Sequence, residues 1–99
     1  MNDATKAATE AAMIKAIRKI IGKIKTEKIF DSNFVIKRFE QEYPDEFAAY
    51  NEKVRGKVGL IGKQISRQED LVKQEGETGA FWSMNIKGKP EKCTGWRRK

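Results

Sequence analysis

The apolar residues of this chain repeat at two different periods, and that change of period limits the architecture more than any other feature. As far as Ile65 they recur every three or four positions, as on helices with one buried face; from Ala80 they alternate, as on a strand. The predicted order is therefore three or four helices followed by a β-hairpin, a mostly α fold of the α+β class. Ninety-nine residues allow one such domain, and the 38% hydrophobic content is enough to give it a core.

The first helix is expected from about Ala4 to Lys25, capped by Asn2 or Asp3, with Ile14, Ile17, Ile21 and Ile24 forming its inward seam. Residues 1–28 are long for a domain of this size, so the early turns of this helix have room to project or to pair with a second copy in a homodimer. "KTEKIF" follows as a short apolar approach. Asp31 or Ser32 then caps a helix over "NFVIKRFEQEY" that turns Phe34, Val35, Phe39 and Tyr43 inward and stops at Pro44.

Pro44 or Asp45 opens the next helix, and Asp45 and Glu46 suit its positive end. Its apolar spacing, Phe47, Tyr50 and Val54, runs on through Val58, Ile61 and Ile65, but Gly56, Gly59 and Gly62 interrupt it. Each helix-interior glycine costs about 0.5–1 kcal/mol relative to alanine. Either one continuous helix carries a small-residue strip that another surface approaches, or two helices are split by a turn at "RGKVG"; residues 58–68 are helical in both cases. Beyond them, Leu71 to Glu75 and the alternating stretch from Ala80 to Lys87 are expected to pair as a two-stranded hairpin around "GETG". Trp82 and Met84 are placed in the core and Phe81 on the opposite face.

Charge is segregated along the chain. The net charge is +7, yet residues 13–30, 53–67 and 80–99 each carry +5, while 31–52 and 68–79 are acidic. Folding such a chain can gather one basic face, and a basic face recruits polyanions by releasing their counterions. The same lysines also serve plain solubility. A single cysteine, Cys93, and the absence of histidine argue against a disulfide within the chain and against the usual zinc sets, so no metal and no cofactor are expected. A reactive Cys93 thiol would have Lys89 and Lys92 beside it but no histidine as partner base. The acids in "FEQEYPDEF" and "RQEDLV" are accounted for by helix surfaces and caps, and no enzyme is expected. No stretch has the length and apolarity of a membrane span or the layout of a secretory leader, which leaves a cytoplasmic expectation.

The stretches "IFDSNFVIKRF", "VGLIGKQISRQEDLV" and "LVKQEGETGAFWSMN", with this element order, make the chain resemble the winged helix-turn-helix family over roughly residues 29–87. The resemblance implies that the helix at about 58–68 enters the major groove of double-stranded DNA and that the hairpin, or wing, touches backbone. It makes Lys57, Lys63, Gln64, Ser66 and Arg67 contact candidates, with Gln64 and Arg67 nearest the base edges. Lys53 and Arg55 of the same basic block, and Lys87, Lys89, Arg97 and Arg98 nearer the end, are candidates for phosphate. Glu75 and Glu77 at the expected wing tip would repel it.

The stretch 90–99 reads as a basic tail in which Trp96 either stacks against nucleic acid or tucks onto the core. Two functions follow as expectations. One is a DNA-binding module with a regulatory or accessory role in transcription. The alternative is a protein-protein interaction adaptor that docks through the N-terminal amphipathic helix.

Overall fold

A computed structural model describes the backbone of residues 3–53 and 59–99 and the side chains of residues 9–50 and 61–99. The chain is α+β, with four helices and two small antiparallel sheets among the described residues. α1 spans Asp3–Gly22, β1 Ile29–Asp31, α2 Ser32–Glu42, α3 Pro44–Lys53 and α4 Gly59–Ser66. β2 (Val72–Glu75), β3 (Phe81–Met84), β4 (Pro90–Cys93) and β5 (Gly95–Arg98) follow. The expected turn at "RGKVG" and the roles given to Val54 and Val58 fall on residues 54–58, outside the described residues.

The helices end where local chemistry stops them. Asp31 is extended and its carboxylate accepts from the Phe34 N–H at 2.8 Å, so Asp31 rather than Ser32 caps α2. Ser32 thereby becomes available for other contacts. At the far end the Tyr43 N–H donates to the Phe39 carbonyl, and Pro44 opens α3 with Asp45 and Glu46 in its first turn.

One core joins the four helices and the three-stranded sheet. α1 contributes Met13, Ala16, Ile17, Ile20 and Ile21, α2 Val35, Ile36 and Phe39, α3 Phe47 and Tyr50, α4 Ile61 and Ile65, and the sheet Phe30, Val72 and Trp96. The α1 seam is thus rotated slightly from the expected one: Ile17 and Ile21 are fully buried, but Ile14 and Ile24 only flank the core. Phe34, expected inside, is exposed. Its ring lies 6.4 Å from that of Phe30 and beneath the Arg38 guanidinium, on the rim of the core.

The strand pairing differs from the expected hairpin. β2 pairs with β5, not with β3, and β5 is the middle strand of a sheet ordered β1-β5-β2. β3 pairs with β4 in a separate two-stranded hairpin, Phe81 opposite Cys93 and Trp82 opposite Lys92. "GETG" therefore links two sheets, and the hairpin turn lies instead at Asn85–Lys89. There the Asn85 carboxamide oxygen accepts from the Lys87 and Lys89 N–H groups, and Gly88 takes the left-handed conformation that closes a three-residue loop.

Residues 90–99 are accordingly no tail. They form β4 and β5, and Trp96 is buried, its indole N–H donating to the Ser32 hydroxyl. The hairpin expected from 71–75 and 80–87 is not formed; β3 pairs with β4 instead, and β2 joins β5, where Arg97 meets Glu75 in a two-pronged ion pair.

Candidate nucleic-acid interface

α4 and the β3–β4 hairpin face each other across a cleft of about 680 Å³. One wall is α4, through Gly62, Lys63 and Ser66; the other is the hairpin and its turn, through Ile86, Lys87 and Glu91. Ser32, Asn33 and Ile36 of α2, with Thr94 and Trp96, form the floor. The Asn33 carboxamide holds the hairpin to α2 by donating to the Ser83 hydroxyl at 3.0 Å, and Thr94 Oγ1 accepts from the Gly79 N–H at 3.2 Å. The hairpin is further seated by Phe81, whose ring occupies the space where a side chain on Gly95 would stand.

The helical period sorts the candidates on α4. Ile61, Ile65 and Gln68 turn inward, Lys63 and Arg67 lie one turn apart on the exposed ridge, and Ser66 stands on the cleft flank. The Ser66 hydroxyl donates back to the Lys63 carbonyl at 2.6 Å, finishing the helix. Gln64 is half-buried on the flank away from the cleft, so of the pair expected nearest a base edge only Arg67 is exposed. Lys53, Arg55 and Lys57 belong to the same stretch of sequence, but their side chains lie outside the described residues.

Much of the charge segregation seen along the chain cancels in space. Arg18 of α1 binds Asp70 through both guanidinium nitrogens, at 2.6 and 3.0 Å, and donates to Gln68 as well. Lys23 and Arg38 both reach Glu42. Arg97 and Arg98, expected on phosphate, are used internally. Arg97 lies on the outer face of β5 against Glu75 and Glu27, while Arg98 donates to the Ile21 carbonyl at the end of α1. These two are not brought to the cleft. The hydrogen bond from Arg97 holds the Glu75 carboxyl below its ordinary range, and the hydrogen bond from Arg18 does the same for Asp70.

Lys63, Arg67, Lys87 and Lys89 are different: they are exposed and make no ion pair with another described residue. Folding brings Lys63 and Lys87 to opposite walls of one cleft, Arg67 one turn beyond the first and Lys89 two residues beyond the second. Among the described residues the one carboxylate in the lining is Glu91, which accepts from Asn85 at 2.9 Å.

No family model, curated protein or solved structure matches the chain. The site is therefore read from its own chemistry. Among the described residues no group of three potential metal ligands occurs, and no helix is long and apolar enough to cross a membrane.

Two residues of the hairpin stand on the face opposite to the one expected from sequence. Trp82 and Met84, expected in the core, are 64% and 48% exposed. Lys92, paired across the strands with Trp82, sets its ammonium 5.5 Å from the indole ring. Alternation showed that β3 has two faces; what it lacked was a signal for which face the body would cover. Phe81, not Trp82, is the residue that matches Gly95.

Proposed function

We propose that the chain is a winged helix-turn-helix-like module that binds double-stranded DNA through the α4 ridge and the β3–β4 hairpin, in a regulatory or accessory role. The observation that carries this reading is the placement of exposed cations, without an ion pair among the described residues, on both walls of one cleft, Lys63 on α4 and Lys87 on the hairpin, with Arg67 and Lys89 continuing each line. Two basic walls of one cleft suit phosphates on either side of a groove, and the exposed ridge of α4 suits the groove itself. The element order also supports the reading: a helix, a short strand, further helices and then a hairpin. The adaptor alternative would need the isoleucine seam of α1 at the surface, whereas Ile17 and Ile21 are fully covered by this chain's own core.

Titration of a labelled duplex across a salt series tests the proposal. With about five cations on phosphate, log affinity falls with log salt at a slope near −4 to −5. Lys63→Ala with Arg67→Ala weakens binding and flattens that slope, by about one per phosphate contact removed, while Lys15→Ala on α1 leaves both unchanged. A slope near zero, or equal losses from the α1 variant, would remove the reading.

A further inference from the structure

The outer face of the β3–β4 hairpin carries Trp82, Met84, Pro90 and Lys92, since residues paired across the strands share a face. Glu91, the carboxylate of β4, is paired with Ser83 on the opposite, inner face. The outer face thus carries an exposed indole with the Lys92 ammonium beside it. An indole left 64% exposed gives up burial that a small domain can seldom spare, and such surface marks a contact.

We propose that this face is a stacking platform for an unpaired nucleobase, and that the ligand is a duplex with an adjoining single-stranded segment. The inference rests on the duplex reading above and names the part of the nucleic acid that the hairpin takes. Three arguments select this occupant. Lys92, beside the ring, and Lys87 and Lys89, at the turn, supply charge for the backbone on either side of a stacked base.

The second argument is position. Trp82 lies within β3, paired with β4, and Ile86 of the following turn packs against the core, so the indole stands on the face of a seated hairpin, placed to be covered rather than driven between base pairs as a wedge. The third is the geometry of stacking itself. Inside an intact duplex both faces of every base are already covered by neighbours, and a free π face exists only at an end, a gap or a single strand.

The experiment uses the full chain and its own fluorescence. There are two tryptophans, and Trp96 is 4% exposed, so a ligand that reaches the surface quenches Trp82 while Trp96 continues to report the fold. The probes are a duplex with a single-stranded overhang and a relaxed, covalently closed duplex circle of matching sequence. The expected result is saturable quenching by the overhang duplex and weak quenching by the circle. Trp82→Ala should weaken the overhang duplex by roughly 5- to 150-fold, the range of one lost base stack, and leave the circle unchanged, with Trp82→Phe in between.

Equal affinity of Trp82→Ala and the parent for the overhang duplex would overturn the proposal, as would equal losses on both probes. A concentration-dependent blue shift of Trp82 emission without nucleic acid would assign the face to a second copy of the chain and overturn it too. The duplex reading fails separately, when Lys63→Ala with Arg67→Ala leaves binding to the circle unaltered.

Discussion

The Trp96 indole N–H donates to the Ser32 hydroxyl at 3.0 Å, joining the middle strand of the sheet to the first turn of α2. Ser32 in turn donates to the Thr94 carbonyl at 3.3 Å, so a single hydroxyl fastens the floor of the cleft in two directions. Both side chains are buried. Ser32→Ala leaves the indole N–H without its partner and is expected to cost about 1–3 kcal/mol; Trp96→Ala, which also empties a large volume, about 3–5 kcal/mol. Urea unfolding followed by far-UV circular dichroism measures both.

Gly95→Ala is expected to loosen the hairpin. A Cβ at that position would fall inside the Phe81 ring, so the ring must move and the β3–β4 hairpin with it, at a cost of about 1–3 kcal/mol. Phe81→Ala in the same molecule removes the clash, and the two changes together should cost less than the sum of each alone. A double-mutant cycle reads the coupling, and additive losses would show that the contact is not what seats the hairpin.

Gly62→Ala should act the other way. A Cβ there meets the Ser32 hydroxyl at 3.6 Å, ordinary van der Waals contact, and the backbone is helical. Removing the helix-interior glycine is then expected to stabilise by about 0.5–1 kcal/mol. Thermal melting checks the sign. A lower melting temperature would mean that the α2–α4 approach is tighter than this separation allows.

The Arg97–Glu75 pair should appear in the acid limb of stability. Glu75 has its folded pKa lowered, first by the hydrogen bond from Arg97. Such a group contributes stability above its unfolded pKa and loses it as pH falls through the lower folded value. Arg97→Gln should therefore separate from the parent at neutral pH and converge with it below the usual carboxylate range. Raised salt should shrink the separation, since the pair is partly solvated. Urea midpoints across pH provide the curves, and parallel curves down to the acid end would contradict the assignment.

Helices were legible in the sequence because their signals are local. The Asp31 cap, the stop at Pro44 and the spacing of Phe47, Tyr50, Ile61 and Ile65 each concern residues a turn or two apart, and packing follows from them. Strand partners were not legible. Val72–Glu75 looks the same whether it pairs with Phe81–Met84 nearby or with Gly95–Arg98 further on, and what decides between them, Glu75 against Arg97, is a contact across 22 residues.

The basic run "WRRK" suggested a solvated end for a similar reason. Its neutralising partners, Glu75, Glu27 and the Ile21 carbonyl, are distant in sequence. At the candidate site, Lys63 and Arg67 were contact candidates through the resemblance, and Lys87 and Lys89 through the basic block that carries them. The exposed Trp82 was assigned to the wrong face because hydrophobicity cannot report which side of a hairpin meets the body.

The order β1-β5-β2 bears on how a nascent chain matures. Ile29–Asp31 and Val72–Glu75 leave the ribosome well before the strand that will lie between them, and until Gly95–Arg98 emerges neither has its neighbour in the sheet. Over that interval the helices must shelter Phe30 and Val72 by collapse alone. Arrival of Gly95–Arg98 between them is then what closes the sheet over both.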